Sequence, residues 1–165
     1  MLSVEYTAGI IDGEGSIYLY RSNRKNGHNY YRMVVNVANT NLEIIQLMYH
    51  SYGGRYRSHQ RIGNRKLVYH WEIHSTDALK FLYRIKPFLI IKTKQAELAI
   101  RFQEHKEALL TGRTTIDYAF EEQCAIEMHS LNRKGYEKLG LDTTEKRMAR
   151  DAESDFWRQF RCRSM

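Results

Sequence analysis

Apolar side chains first recur at helical spacing. Val4, Thr7, Ala8 and Ile11 fall on one side of a 3.6-residue repeat and predict a helix over residues 4–12. Gly13 and Gly15 end it, since glycine permits backbone geometry and close approach that other residues resist. The period then drops to two. Ile17 and Leu19 alternate with Tyr18, Tyr20 and Ser22, as in a half-buried strand. Residues 21–29 are polar and basic and read as a hairpin loop. The returning strand, from Tyr30 to about Val37, puts Tyr31, Met33, Val35 and Val37 on one face and Tyr30, Arg32, Val34 and Asn36 on the other.

Asn39 or Thr40 can cap a helix carrying Leu42, Ile45, Met48, Tyr49 and Tyr52, which Gly53-Gly54 stops. A second hairpin follows, with strands over 55–62 and 66–74 and a turn at Gly63-Asn64. Ser75 caps the next helix, with Leu79, Leu82 and Tyr83 on one side, and Pro87 breaks it. A longer helix over 91–110 carries Leu98, Ala99 and Phe102, and residues 114–131 form another. Two consecutive hairpins between helices predict an α+β fold: one antiparallel four-stranded sheet with helices on a single face. The other face is left to solvent or to a ligand.

Charge narrows the partners. Lys and Arg number 26 against 19 Asp and Glu, giving a net charge of +7 and a pI of about 9.4, a balance that favours polyanions. A basic protein without such a partner is the plain alternative. The 12 tyrosines suit either a base-contacting surface or an ordinary sheet. Cys124 and Cys162 form no CxxC pair, which excludes a disulfide framework or a four-cysteine zinc site and suggests a reducing compartment. No signal-peptide pattern and no membrane-length apolar run is present, so an intracellular protein, cytoplasmic or organellar, is expected, with no membrane partner. His70 and His74 are four apart, but on a strand that separates them by about 13 Å, too far to share a metal.

The stretch Tyr6-Thr-Ala-Gly-Ile-Ile-Asp-Gly-Glu-Gly-Ser16 resembles the LAGLIDADG motif of homing endonucleases, followed by Gly-Ser. Downstream, Lys86-Pro-Phe-Leu-Ile-Ile-Lys-Thr-Lys-Gln-Ala-Glu-Leu98 resembles a second segment of the same family. The resemblance covers about Val4 to Phe102. Thr7 stands where Leu is usual, and Glu14 where Asp is common. The resemblance implies the αββαββα homing-endonuclease fold over residues 1–131, with 132–165 as a C-terminal extension packed on the domain or contacting DNA backbone. It implies Mg²⁺-dependent hydrolysis of both strands of a long pseudo-palindromic double-stranded DNA target. With one motif per chain it implies a homodimer, and a role in intron homing. The alternative is an RNA maturase acting on intron RNA, or a non-cleaving DNA-binding protein of the same fold.

By the same resemblance Glu14 is the metal ligand, with the Gly13 carbonyl adding a second oxygen, as a hard ion requires. Asp12 either caps backbone donors or supports that ligand. Ala8, Gly9 and Gly13 are small enough for two copies of the helix to pack closely, which brings two carboxylates together. Lys92 corresponds to the lysine that helps activate the nucleophile or offsets transition-state charge. Asn39 aligns with a water-positioning residue, and a helix-cap role fits it nearly as well. A β-ribbon fits the major groove, so the first hairpin's candidates for DNA contact are Tyr18, Tyr20, Ser22, Arg24, Tyr30, Arg32 and Asn36. On the second hairpin they are Ser58, Gln60, Leu67 and Tyr69, with Arg55, Arg57, Arg61 and Arg65 as basic candidates. Asn132, Arg133 and Lys134 resemble a backbone-contacting segment.

Overall fold

The first helix, α1, spans Val4–Glu14 and starts where the Ser3 hydroxyl accepts a hydrogen bond from the Tyr6 amide at 3.2 Å. Its inner stripe, Thr7, Ala8 and Ile11, is buried. Thr7 keeps its hydroxyl satisfied there, donating to the Ser3 carbonyl at 2.7 Å and lying 2.9 Å from the Tyr52 hydroxyl. The helix runs two residues beyond the expected end, because Gly15 closes it by donating to the Ile10 and Ile11 carbonyls. A Cβ at Gly15 would come within 2.8 Å of the Ile11 backbone, so only glycine allows the strand to leave this close to the helix.

In this computed structural model the described residues are 1–23, 29–59 and 67–133. Arg24, Gln60, Arg61, Arg65, Lys134 and the Gly63-Asn64 turn lie outside them. Strands β1 (Gly15–Asn23) and β2 (Asn29–Asn39) pair antiparallel, as do β3 (Arg55–His59) and β4 (Val68–His74), and β2 joins β4, giving the order β1-β2-β4-β3. Ile17, Tyr31, Met33, Val35, Val37, Trp71 and Ile73 are buried and face the helices, as the alternation predicts, while Val34 on the opposite face is buried as well. Helices α2 (Leu42–Tyr52), α3 (Ser75–Ile85), α4 (Thr93–Leu110) and α5 (Tyr118–Arg133) complete the layer, with a 3-10 turn at Lys86–Phe88. Trp71 lies edge-on to Phe81 at 5.3 Å, and its Nε1 donates to the Gly53 carbonyl at 2.8 Å, so the largest core side chain also satisfies the end of α2. Met1–Asn132 form one compact unit.

Three local expectations are corrected. The cap of α2 is Asn41, whose side chain accepts from the Glu43 amide at 2.8 Å; Asn39 is still paired with Tyr69 in the sheet. Ser75 does not cap α3. Strand β4 runs directly into the helix, and Ser75 makes the turn itself with φ 48°, an uncommon backbone for a residue with a Cβ. Tyr83 does not share the buried side of Leu79 and Leu82: it is exposed and donates its hydroxyl to Glu104 on α4.

Candidate active site and nucleic-acid face

The last turn of α1 is strapped to the segment after the 3-10 turn. Pro87 and buried Leu89 set that segment's path. Asp12 then accepts two of its amides, Ile90 at 2.7 Å and Lys92 at 2.9 Å. Lys92 Nζ returns to the Asp12 carbonyl at 2.5 Å. Burial by itself raises the Asp12 pKa, but the amides of Ile90, Lys92 and Ile91 and the Lys92 charge more than reverse this and leave it below its ordinary value. Lys92 is lowered, chiefly by burial, with the charges of Asp12 and Glu14 opposing. Glu14, the final residue of α1, is exposed and makes no hydrogen bond or ion pair among the described residues. An acid open to solvent thus stands in the field of a lysine held by the neighbouring turn. Register puts Asn39 at the same end of the sheet, two residues beyond Val37, the partner of Gly15. Its Oδ1 accepts from the Asn41 amide at 2.8 Å.

The donors here are oxygens, Glu14 and the neighbouring carbonyls, which suits a hard divalent ion. Among the described residues no three His, Cys, Asp or Glu side chains gather to hold one. The described residues of one chain thus fit part of the oxygen ligand set that such an ion takes.

The sheet face turned away from the helices is polar. Residues directly opposite in the ladder share a face, so one row runs Ser16, Asn36, Glu72, Arg55 across all four strands. Beside it stand Tyr18, Val34 and His74, then Tyr20 and Arg32, and on the other side Ala38, His70 and Arg57. The Arg32 guanidinium lies 5.5 Å from the Tyr20 ring centre, and its Nε is buried without a hydrogen bond, as are both ring nitrogens of His74. Burial, with the Arg32 charge, lowers the His74 pKa, and burial raises that of Tyr18.

No family model matches this chain, and no curated protein matches it. Solved structures do. The archaeal intron-encoded homing endonuclease I-Vdi141I, complexed with DNA, is 19% identical with a TM-score of 0.64, covering 81% of this chain and 86% of that one. This is the LAGLIDADG homing-endonuclease fold. The homing endonuclease I-CvuI, in complex with its target in the presence of Ca, matches at 18% identity and TM-score 0.53, over 76% of this chain and 94% of that one. The homing endonuclease I-TnaI matches at 16% identity and TM-score 0.53, over 77% and 98%.

On the homing-endonuclease fold the candidate residues divide. Glu14, Gly13, Asp12, Lys92 and Asn39 share one end of the sheet. Tyr18, Tyr20, Ser22, Arg32, Asn36, Arg55 and Arg57 share the polar face; Tyr30 has the same parity, but its ring centre lies 4.3 Å from Lys106 Nζ of α4, so this side chain turns to the helices. Ser58 and Tyr69 do not: they oppose each other on the helix side, in step with buried Trp71, and Tyr69 packs against the core. Leu67 precedes β4 and is exposed. Ala8 is fully buried within its own chain and cannot reach a second copy, whereas Gly9 and Gly13 are exposed, with nothing within 4 Å of an added Cβ. Asn132 uses its side-chain amide on the Ile17 carbonyl at 3.0 Å, tethering α5 to β1. Arg133 is the last residue of α5. Sequence reasoning did not single out Glu72, a nearly buried acid in the central row of this face with no motif around it. The parity of Asn36 carried across the sheet is the signal that finds it.

Proposed function

We propose that this chain is a site-specific DNA endonuclease that works as a homodimer and hydrolyses both strands of a long, roughly two-fold symmetric target in a divalent-metal-dependent reaction, as in intron homing. What supports this reading above all is the junction of exposed Glu14 with Lys92, held by the Asp12 strap at the end of a polar sheet face. An unpaired acid beside phosphates opposes binding, so the place of Glu14 next to Lys92 favours cleavage. Glu14 and the Gly13 carbonyl would hold Mg²⁺. The bound ion supplies charge stabilisation at the phosphoryl oxygens and makes a water more acidic.

Lys92 offsets negative charge as the bond to the leaving oxygen lengthens, and its partial burial strengthens that interaction. Asp12 keeps Lys92 in place. Asn39 orients water. A second copy packs against the open stripe of Gly9 and Gly13, where exposed Tyr6 and the exposed Phe88, Ile90 and Ile91 of the strapped segment offer apolar contact. The polar sheet face reads base edges, and the excess of Lys and Arg supplies phosphate contacts.

The test is a cleavage selection from randomised duplexes in Mg²⁺, with parallel reactions in Ca²⁺ and in EDTA. A defined site cut only with Mg²⁺ is expected, and Glu14→Gln should bind that site without cutting it. Equal cutting by the variant, or cutting in EDTA, would overturn the assignment.

A further inference from the structure

The geometry points to Glu72 as a positioning residue for base recognition. It holds the Arg55 guanidinium so that each copy of the chain selects a guanine in the major groove at one position of its half-site. This inference rests on the reading of the polar sheet face as the DNA-binding surface.

Glu72 is 6% exposed, in the central row of that face, while the Arg55 side chain is 64% exposed above it. Arg55 Nε donates to Glu72 Oε1 at 2.7 Å. An unpaired acid on a phosphate-facing surface would repel the ligand; here the acid is nearly hidden, and its observable effect is on the arginine. A guanidinium is a planar fork. With Nε taken by the carboxylate, the Nη1 and Nη2 edge is directed away from it, and Arg55 makes no other hydrogen bond among the described residues. Two parallel donors on a rigid plane match the O6 and N7 acceptors of guanine.

Neighbouring groups sharpen the contrast. Asn36, beside Glu72 in the row, donates Nδ2 to the Trp71 carbonyl at 3.1 Å, so that side chain is also preset. His74 Nε2 lies 3.9 Å from the same Glu72 oxygen. Arg57, two residues along β3 on the same face, has no carboxylate partner among the described residues and is suited to phosphate, where register is needed and base identity is not. The cost of ordering Arg55 is met before binding, the usual origin of preorganised affinity.

The experiment is a binding selection from randomised duplexes at one salt concentration, using the parent, Arg55→Ala, Glu72→Ala and Glu72→Gln, each with its melting temperature. The parent should prefer guanine roughly ten- to a hundredfold at one symmetry-related pair of positions. Arg55→Ala should erase that preference at the pair alone. Glu72→Ala should reduce it at least fivefold, and Glu72→Gln, which still accepts from Nε, should recover part of it. Guanine preference untouched in both Glu72 variants, or weakened equally at all positions, would overturn the inference while leaving DNA binding standing. A parent chain that binds no duplex in a salt-dependent way would remove the DNA-binding reading and this inference with it.

Discussion

Replacing Asp12 by asparagine probes the strap between α1 and the segment around Lys92. The carboxylate accepts two amide hydrogen bonds, from Ile90 and Lys92. Hydrogen bonds to a charged acceptor contribute about 1.5–3 kcal/mol each. Asparagine keeps one acceptor oxygen but turns an NH₂ group toward the other amide, so one charged bond is lost and the remaining one weakens. Partial solvent access trims the total, leaving a cost of about 2–3 kcal/mol. For a chain of this size that is a fall in melting temperature of roughly 5–10 °C. The pH dependence carries its own sign. The folded Asp12 pKa lies below the ordinary 3.8, so its contribution is fully present at neutral pH and is lost as pH falls through the lowered value. Thermal unfolding of parent and Asp12→Asn, followed by circular dichroism at pH 7 and again well below pH 3.8, should show a gap that closes in acid. A gap under about 1 °C at neutral pH, or one that persists unchanged in acid, would refute the strap as described.

Gly9→Leu should leave the monomer folded and at least as heat-stable, since space is open there and leucine favours helix by about 0.8–1 kcal/mol; sedimentation analysis should show dimerisation weakened at least tenfold. Gly15→Ala should lower stability by about 2 kcal/mol in denaturant titration, because its Cβ would meet Ile11 backbone that cannot swing aside. Lys92→Met should slow single-turnover cleavage by about a hundredfold while target affinity changes little; an equal fall in both would make it a binding residue.

Most of the fold was legible because its strongest patterns have one solution. Tyr31, Met33, Val35 and Val37 can be buried together only as one strand face, and all four are. The second hairpin offered no such guide. In Arg55–His59 both parities are polar, so Ser58 was as plausible on the outer face as Arg57, and only pairing with buried Trp71 decides between them. Ser75 carried the composition of a helix cap, but the absence of a loop between β4 and α3 gave it a left-handed turn instead. Ala8 and Gly9 are alike in size, yet a helix turns about 100° per residue, so the two look in different directions. The Asp12 strap joins residues about 80 apart in sequence. Spacing along the chain does not encode such a contact, and only the fold joins Asp12 to Ile90 and Lys92.

In the proposed dimer, two copies of Glu14 act together on one duplex. Differently tagged chains, purified as mixed dimers of parent and Glu14→Gln, test this on the selected target. Double-strand breaks by the mixed dimer should fall at least a hundredfold relative to the parent dimer. Linear product appearing at an undiminished rate would contradict it.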